Sequence, residues 1–196
     1  MSATHACPLG QRAASTWRPI LWKRNDVSGF ESARVTILGS DRQVEGVAVF
    51  SFDGGACRLD YDIRCSSEWI TRDATVSGWV GSRTIEIVIA RSVEGEWTLN
   101  GQRQPAVSGC DDIDFNFSPS TNLLPIRRLA LAVGSSAIVR AAWLRFPEFL
   151  LEPLTQTYVR LDRCLYRYQA GSFVADLSVD EEGQVVEYAE WSRVGS

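Results

Sequence analysis

Alternation is the feature that most restricts this chain. In "RLDYDIRC", residues 58–65, Leu59, Tyr61, Ile63 and Cys65 alternate with Arg58, Asp60, Asp62 and Arg64. Successive side chains of a β-strand point to opposite faces, so this run predicts a strand with one apolar and one charged face. The same period predicts strands in "ARVTIL" (33–38), "EGVAVFSFD" (45–53), "TVSGWV" (75–80), "TIEIVIAR" (84–91), "IVRAAWLRF" (138–146) and "YVRLDRCLYRYQ" (158–169). In the last of these, Tyr158, Tyr166 and Tyr168 fall on one face of a single strand.

Turn chemistry separates the runs at "LGSDR" (38–42), "FDGG" (52–55), "VEGE" (93–96), Asn100-Gly101 and "DEEGQ" (180–184). Asn-Gly accepts positive φ at both positions and closes a tight hairpin, so neighbouring strands are read as mainly antiparallel. Helical signals are scarce. "TNLLPIRRLAL" suits a short helix with Pro125 in its first turn and suits a strand nearly as well.

Several strands are apolar on both faces. "TIEIVIAR" carries Ile85, Ile87 and Ile89 on one side and still has Val88 and Ala90 on the other. "GVAVFSF" places Val47 and Val49 opposite Phe50 and Phe52. Such strands must be covered on both sides, as in a sandwich, or must curl around a partly apolar cavity. The chain is 196 residues long, 45% of them hydrophobic, which suffices for one well-buried domain. We expect a loose segment over residues 1–15 and a single domain over 16–196.

Charge and composition exclude several classes. The net charge of -4 lacks the concentrated positive field that holds nucleic acid. No apolar stretch approaches the roughly 20 residues of a transmembrane helix, and the opening residues do not read as a secretory signal. A cytoplasmic location is the expectation. The five cysteines, Cys7, Cys57, Cys65, Cys110 and Cys164, are odd in number and form no CxxC pair, which disfavours a disulfide framework or structural zinc. His5 is the one histidine, leaving no base for a Ser or Cys nucleophile and no metal-ligand cluster, and phosphate-cradling glycine loops are absent. No cofactor is expected.

The richest segment is "CDDIDFNFSPSTNLLPIRRLAL", residues 110–131. On a strand, Asp112, Asp114 and Asn116 share one face while Ile113, Phe115 and Phe117 share the other. Two carboxylates about 7 Å apart can act as an acid and base, bind a hard cation, or pair with arginines. Arg127 and Arg128 are adjacent and point in different directions, so one can fork onto Asp112 or Asp114 while the other takes an anionic or hydroxyl-rich ligand. The structural alternative has both arginines holding buried acceptors.

This segment, with "LDYDIRCSSEWITRDATVSGWVG", "VRAAWLRFPEFLLEPLTQTYVRLDRCLYRY" and "FVADLSVDEEGQVVEYAEW", resembles the "Putative glycolipid-binding" family. The resemblance runs from about Trp22 to Trp191 and is strongest from Asp112-x-Asp114 through Ser118-Pro119-x-Thr121-Asn122-x-x-Pro125-Ile126-Arg127-Arg128-Leu129. One departure is Ser66, where the resemblance leads us to expect an acidic residue after Cys65, with Glu68 nearby as a substitute.

The resemblance implies a mainly β fold of long antiparallel strands curled into an open, barrel-like sheet, similar to bacterial lipoprotein carriers, with one or two short helices at most. It implies a binding protein for a glycolipid or other acylated small molecule, with an apolar groove and a polar Asp/Arg rim. The candidate ligand-binding residues are Asp112, Asp114, Asn122, Arg127, Arg128, Trp143, Gln156, Tyr158, Tyr166 and Tyr168. Two rival readings are an enzyme on a sugar or lipid conjugate using Asp112 and Asp114, and a structural module built on a buried ion-pair lock. Pairing of two copies through sheet edges is compatible with all three.

Overall fold

The computed structural model describes residues 15–195. Nearly all of the N-terminal segment expected to be loose, including His5 and Cys7, lies outside the described residues. Sixteen strands form one sheet. They are β1 (Ser15–Thr16), β2 (Ile20–Arg24), β3 (Gly29–Leu38), β4 (Asp41–Phe52), β5 (Gly55–Cys65), β6 (Thr71–Val80), β7 (Arg83–Arg91) and β8 (Trp97–Leu99). The second half adds β9 (Gln102–Arg103), β10 (Asp112–Phe115), β11 (Ser136–Arg145), β12 (Leu150–Asp162), β13 (Leu165–Ala170), β14 (Phe173–Val179), β15 (Val185–Tyr188) and β16 (Trp191–Arg193).

The order across the sheet is β10-β11-β12-β13-β14-β15-β16-β2-β3-β4-β5-β6-β7-β8-β9, with β1 beside β3. Neighbours are antiparallel except β10, which runs parallel to β11. The sheet is curled and open, not closed into a barrel. The free outer edges are the two-residue β9 and the inward-lying β10, which offer little backbone for pairing with a second copy.

Antiparallel pairing gathers the connections at two ends of the sheet. One, here the near end, holds the β2–β3, β4–β5, β6–β7, β11–β12, β13–β14 and β15–β16 turns. The far end holds the β3–β4, β5–β6, β12–β13 and β14–β15 turns. Asn100 and Gly101 both take positive φ (49° and 78°) in the hairpin predicted for them.

Residues 116–131 run inside the curl. Ser118 caps a 3-10 turn over Pro119–Asn122 by accepting from the Ser120 N–H, and α1 (Leu123–Leu129) follows directly. Pro125 lies in the first turn of α1, where its missing N–H has no helical partner to lose. Ala130 ends the helix in a left-handed conformation (φ 44°). Phe117, Leu123, Leu124 and Ile126 are buried, so this segment itself fills the interior of the curl.

Two sequence expectations change. The run 158–169 is not one strand: β12 ends at Asp162 and β13 begins at Leu165. The turn carries no Gly, Pro or Asn; Arg160 holds it by donating to the carbonyls of Asp162 and Arg163 and of Leu131. Tyr158 still shares a face with Tyr168 because the two are register partners across the hairpin. The second faces of β4 and β7 are not covered either. Val49 and Val88 stay exposed (Val88 58%), as scattered apolar side chains among charged neighbours commonly do.

Gly46 shows how tightly the interior is packed. A Cβ built there would press on the Tyr61 ring and sit 2.7 Å from the Ser32 carbonyl oxygen. Gly46→Ala is expected to lower stability by about 1–3 kcal/mol in urea unfolding, with Gly46→Ala/Tyr61→Phe recovering part of it. An unchanged midpoint would show that the ring moves aside at no cost.

Candidate functional site

Both faces of β10 are buried. Phe115 meets Tyr61 edge-on at 5.8 Å, and the polar face turns toward side chains of α1 and β12. Arg128 forks onto Asp112, its Nε 3.0 Å from Oδ1 and one Nη 2.5 Å from Oδ2. The other Nη lies 3.7 Å from Asp111. Asp112 is 1% exposed and the Arg128 side chain 18%. Burial pushes the Asp112 carboxyl upward and the guanidinium opposes it; burial alone would lower Arg128, but Asp112 and Asp111 raise it and keep it charged.

Asp114 has a different environment. Its Oδ2 accepts from Gln156 at 2.6 Å, and the same amide donates to the Tyr168 hydroxyl at 3.1 Å. Burial pushes Asp114 up to about 6, with the Gln156 hydrogen bond opposing and the Asp112 charge adding. Tyr158 donates to Asn122 Oδ1 at 2.9 Å, and the Asn122 amide donates to the Pro119 carbonyl at 3.2 Å. Burial holds the Tyr158 phenol well above its ordinary range, so it stays a neutral donor.

A cavity of about 320 Å³ opens beside these groups toward the near end. Asp114, Asn122, Trp143 and Tyr168 line it together with Tyr188 and Trp191, and Phe173, Asn116 and Glu190 complete its mouth. Tyr168, Phe173 and Tyr188 meet one another edge-on at 5.9 to 6.1 Å, forming an aromatic wall. The Trp143 Nε1–H is itself enclosed and has no partner among the described residues.

The ten candidate residues therefore do not meet in one place. Asp114, Asn122, Trp143 and Tyr168 reach the near-end cavity, and Gln156 and Tyr158 stand one hydrogen bond behind it. Asp112 is enclosed by Arg128. Arg127 and Arg128 face a far-end cleft, and Tyr166 lies with Arg127 in another far-end hollow. The single Asp/Arg rim implied by the resemblance is split because α1 carries its arginines toward the end opposite the cavity.

Sequence reasoning missed a second polar cluster. Glu31 is fully buried (0% exposed), and its Oε1 accepts from the Tyr61 hydroxyl at 2.7 Å and the Ser118 hydroxyl at 2.5 Å. Ser120 Oγ lies 2.8 Å from the Tyr61 oxygen. Burial raises Glu31 to about 8, against which the two hydroxyls act only partly. Oε2 has no partner among the described residues. The signal was present: Glu31 shares a period-two face with buried Ala33 and Val35, but the strand was read from Ala33. Tyr188, Glu190 and Trp191 were also overlooked, since the successive pairing of β13 with β14, β14 with β15 and β15 with β16 is what brings them beside Tyr168.

The sequence profile of the family described as Putative glycolipid-binding matches residues 19–193. The chain belongs to that family. The crystal structure of a DUF1089 family protein from Pseudomonas aeruginosa is similar throughout, at 30% identity and a TM-score of 0.75, covering 99% of this chain and 100% of that one. No curated protein matches the chain. Among the described residues of this glycolipid-binding family member, no helix is long and apolar enough to cross a membrane.

Proposed function

We propose that this protein binds a glycolipid and takes the sugar head group in the near-end cavity. The make-up of the lining carries the reading: the carboxylates of Asp114 and Glu190 stand beside the aromatic rings of Tyr168, Tyr188 and Trp191. A sugar would donate its hydroxyls to Asp114 and Glu190 while stacking on Tyr188 or Trp191. At about 320 Å³ the space suits one small head group.

The acyl chain would not enter the sheet's interior, which Phe115, Phe117, Leu123 and Leu124 occupy. It would leave over Leu154, Ala170 and Phe173 at the mouth, each buried CH₂ adding about 0.8 kcal/mol. We place the protein, acting as one domain, in the cytoplasm. Cys57, Cys65, Cys110 and Cys164 are free thiols, and Cys65 is pushed up to about 12 by burial, so that it stays protonated. Acid–base catalysis through Asp112 and Asp114 has less support, since Asp112 is held by Arg128 and does not line the cavity.

Titration with short-chain alkyl glycosides, followed by tryptophan emission, tests the assignment. Asp114→Asn and Tyr188→Ala are each expected to weaken binding about tenfold, the first by removing a charged acceptor and the second a stacking face. Unchanged affinity in both folded variants would remove the cavity from the binding site.

A further inference from the structure

We propose that the far-end cleft is a second binding site, one that takes a phosphate group. It is a hollow of about 570 Å³ lined by Arg42, Arg127 and Arg128, with Trp69, Glu68 and Asp111 among the other residues. The two halves of its charge are unevenly matched. Arg128 is committed to Asp112, and Asp111 is engaged by Arg91 at 2.9 Å. Arg42 donates only to the carbonyls of Ser40 and Asp41, at 3.0 and 3.1 Å, and has no carboxylate within 4.0 Å among the described residues.

Arg127 is held without being neutralised. Its guanidinium lies over the Trp17 ring at 5.3 Å and the Trp69 ring at 5.6 Å. Its one hydrogen bond among the described residues is a 3.4 Å contact to the Glu182 carbonyl, and no carboxylate lies within 4.0 Å. Trp69 reaches this position with a φ of 66°, a conformation uncommon for an aromatic residue. Stacking on indole faces orients a guanidinium while leaving its in-plane N–H donors open.

Two such groups, one from β4 and one from α1, line a single hollow. A tetrahedral dianion has enough oxygens to accept from both at once, whereas one planar fork would suffice for a carboxylate. Glu68, exposed at the rim with no cation within 4.0 Å among the described residues, opposes the anion and sets an upper limit on affinity. The phosphate can belong to a small soluble monoester or to a phospholipid head group. This site is separate from the near-end cavity and does not depend on what binds there.

The test is calorimetric titration of the whole protein with inorganic phosphate, against sodium chloride of equal ionic strength, with flotation on phosphatidylglycerol vesicles as a second arm. Arg42→Ala and Arg127→Ala are each expected to weaken binding at least about tenfold, and Glu68→Gln to tighten it about threefold. Arg163→Ala, which removes an equal charge outside the cleft, should change it less than about twofold. Binding of free phosphate assigns a soluble ligand. Binding of vesicles alone, with the same dependence on Arg42 and Arg127, assigns a lipid head group. Absence of both, or binding indifferent to Arg42 and Arg127 in variants with unaltered circular dichroism, overturns the proposal.

Discussion

Urea unfolding at about pH 5.5 and about pH 8.5 will show the protein losing on the order of 3 kcal/mol of stability between them, and Glu31→Gln will remove most of that loss. Glu31 takes a proton near pH 8 in the folded chain against 4.5 as the ordinary value. A group that holds its proton more tightly when folded contributes stability fully below its unfolded pKa. That contribution is lost as pH rises through the folded value, so the decline runs from about 4.5 to about 8. Burial is the cause: ionising Glu31 would place a charge across the strand pair from Trp22 inside the core, with the Ser118 and Tyr61 hydroxyls and the more distant Arg24 charge opposing burial only in part.

Asp114, raised to about 6, adds a smaller decline in the same direction, so Glu31→Gln should retain a shallow slope below pH 6. Asp26 and Asp176 are lowered by Arg24 and Arg167 and act in the opposite sense, but at the exposed surface and only in acid. A wild-type stability that is flat from about pH 5 to about pH 8 would mean that Glu31 is ionised in the folded protein and that a cation or water reaches Oε2.

The second large effect is expected at Arg128. Arg128→Ala should cost about 3–5 kcal/mol, because it leaves the Asp112 carboxylate buried with no counter-charge. Asp112→Asn should cost less, since Arg128 keeps partial solvent access and still has Asp111 within 3.7 Å. Replacing both at once with apolar groups of similar size, Asp112→Leu/Arg128→Met, should recover much of the loss. Denaturant midpoints of the four chains decide it. A loss below about 1 kcal/mol for Arg128→Ala would mean that the pair is wet and contributes as little as a surface bridge.

These two buried acids explain why the segment 110–131 has its mixed composition. It is an internal strand, turn and helix that must satisfy polar groups inside a sheet, and only partly a ligand site. Ser118 and Ser120 serve Glu31 and Tyr61, Arg128 serves Asp112, and Asn122 serves Tyr158. Asp114 faces space that the protein does not fill. Arg127 does too, at the opposite end.

Alternation over 58–65 and 84–91 was enough to predict β5 and β7, because side-chain direction in a strand depends only on the residue's place in the run. The Asn100-Gly101 hairpin was legible for the same reason, since its signal is local, whereas over 121–131 the local signals suited helix and strand nearly equally and packing inside the curl decided for α1. Within β10, the division into an Asp face and a Phe face was also local. That the Asp face would be buried was not, since it depends on β11 and β12 arriving beside it from residues 136–162.

The amino-acid sequence by itself determined the strands, most of their turns, their family and the residues able to do chemistry. Tertiary structure alone decided which of those residues share a space. Arg128 met Asp112 and Arg127 did not, because α1 lies where only the second of two neighbouring side chains, about 100° apart on the helix, faces β10. Such outcomes depend on distances between segments far apart in the chain, set by the curl of the sheet, and no local pattern encodes them.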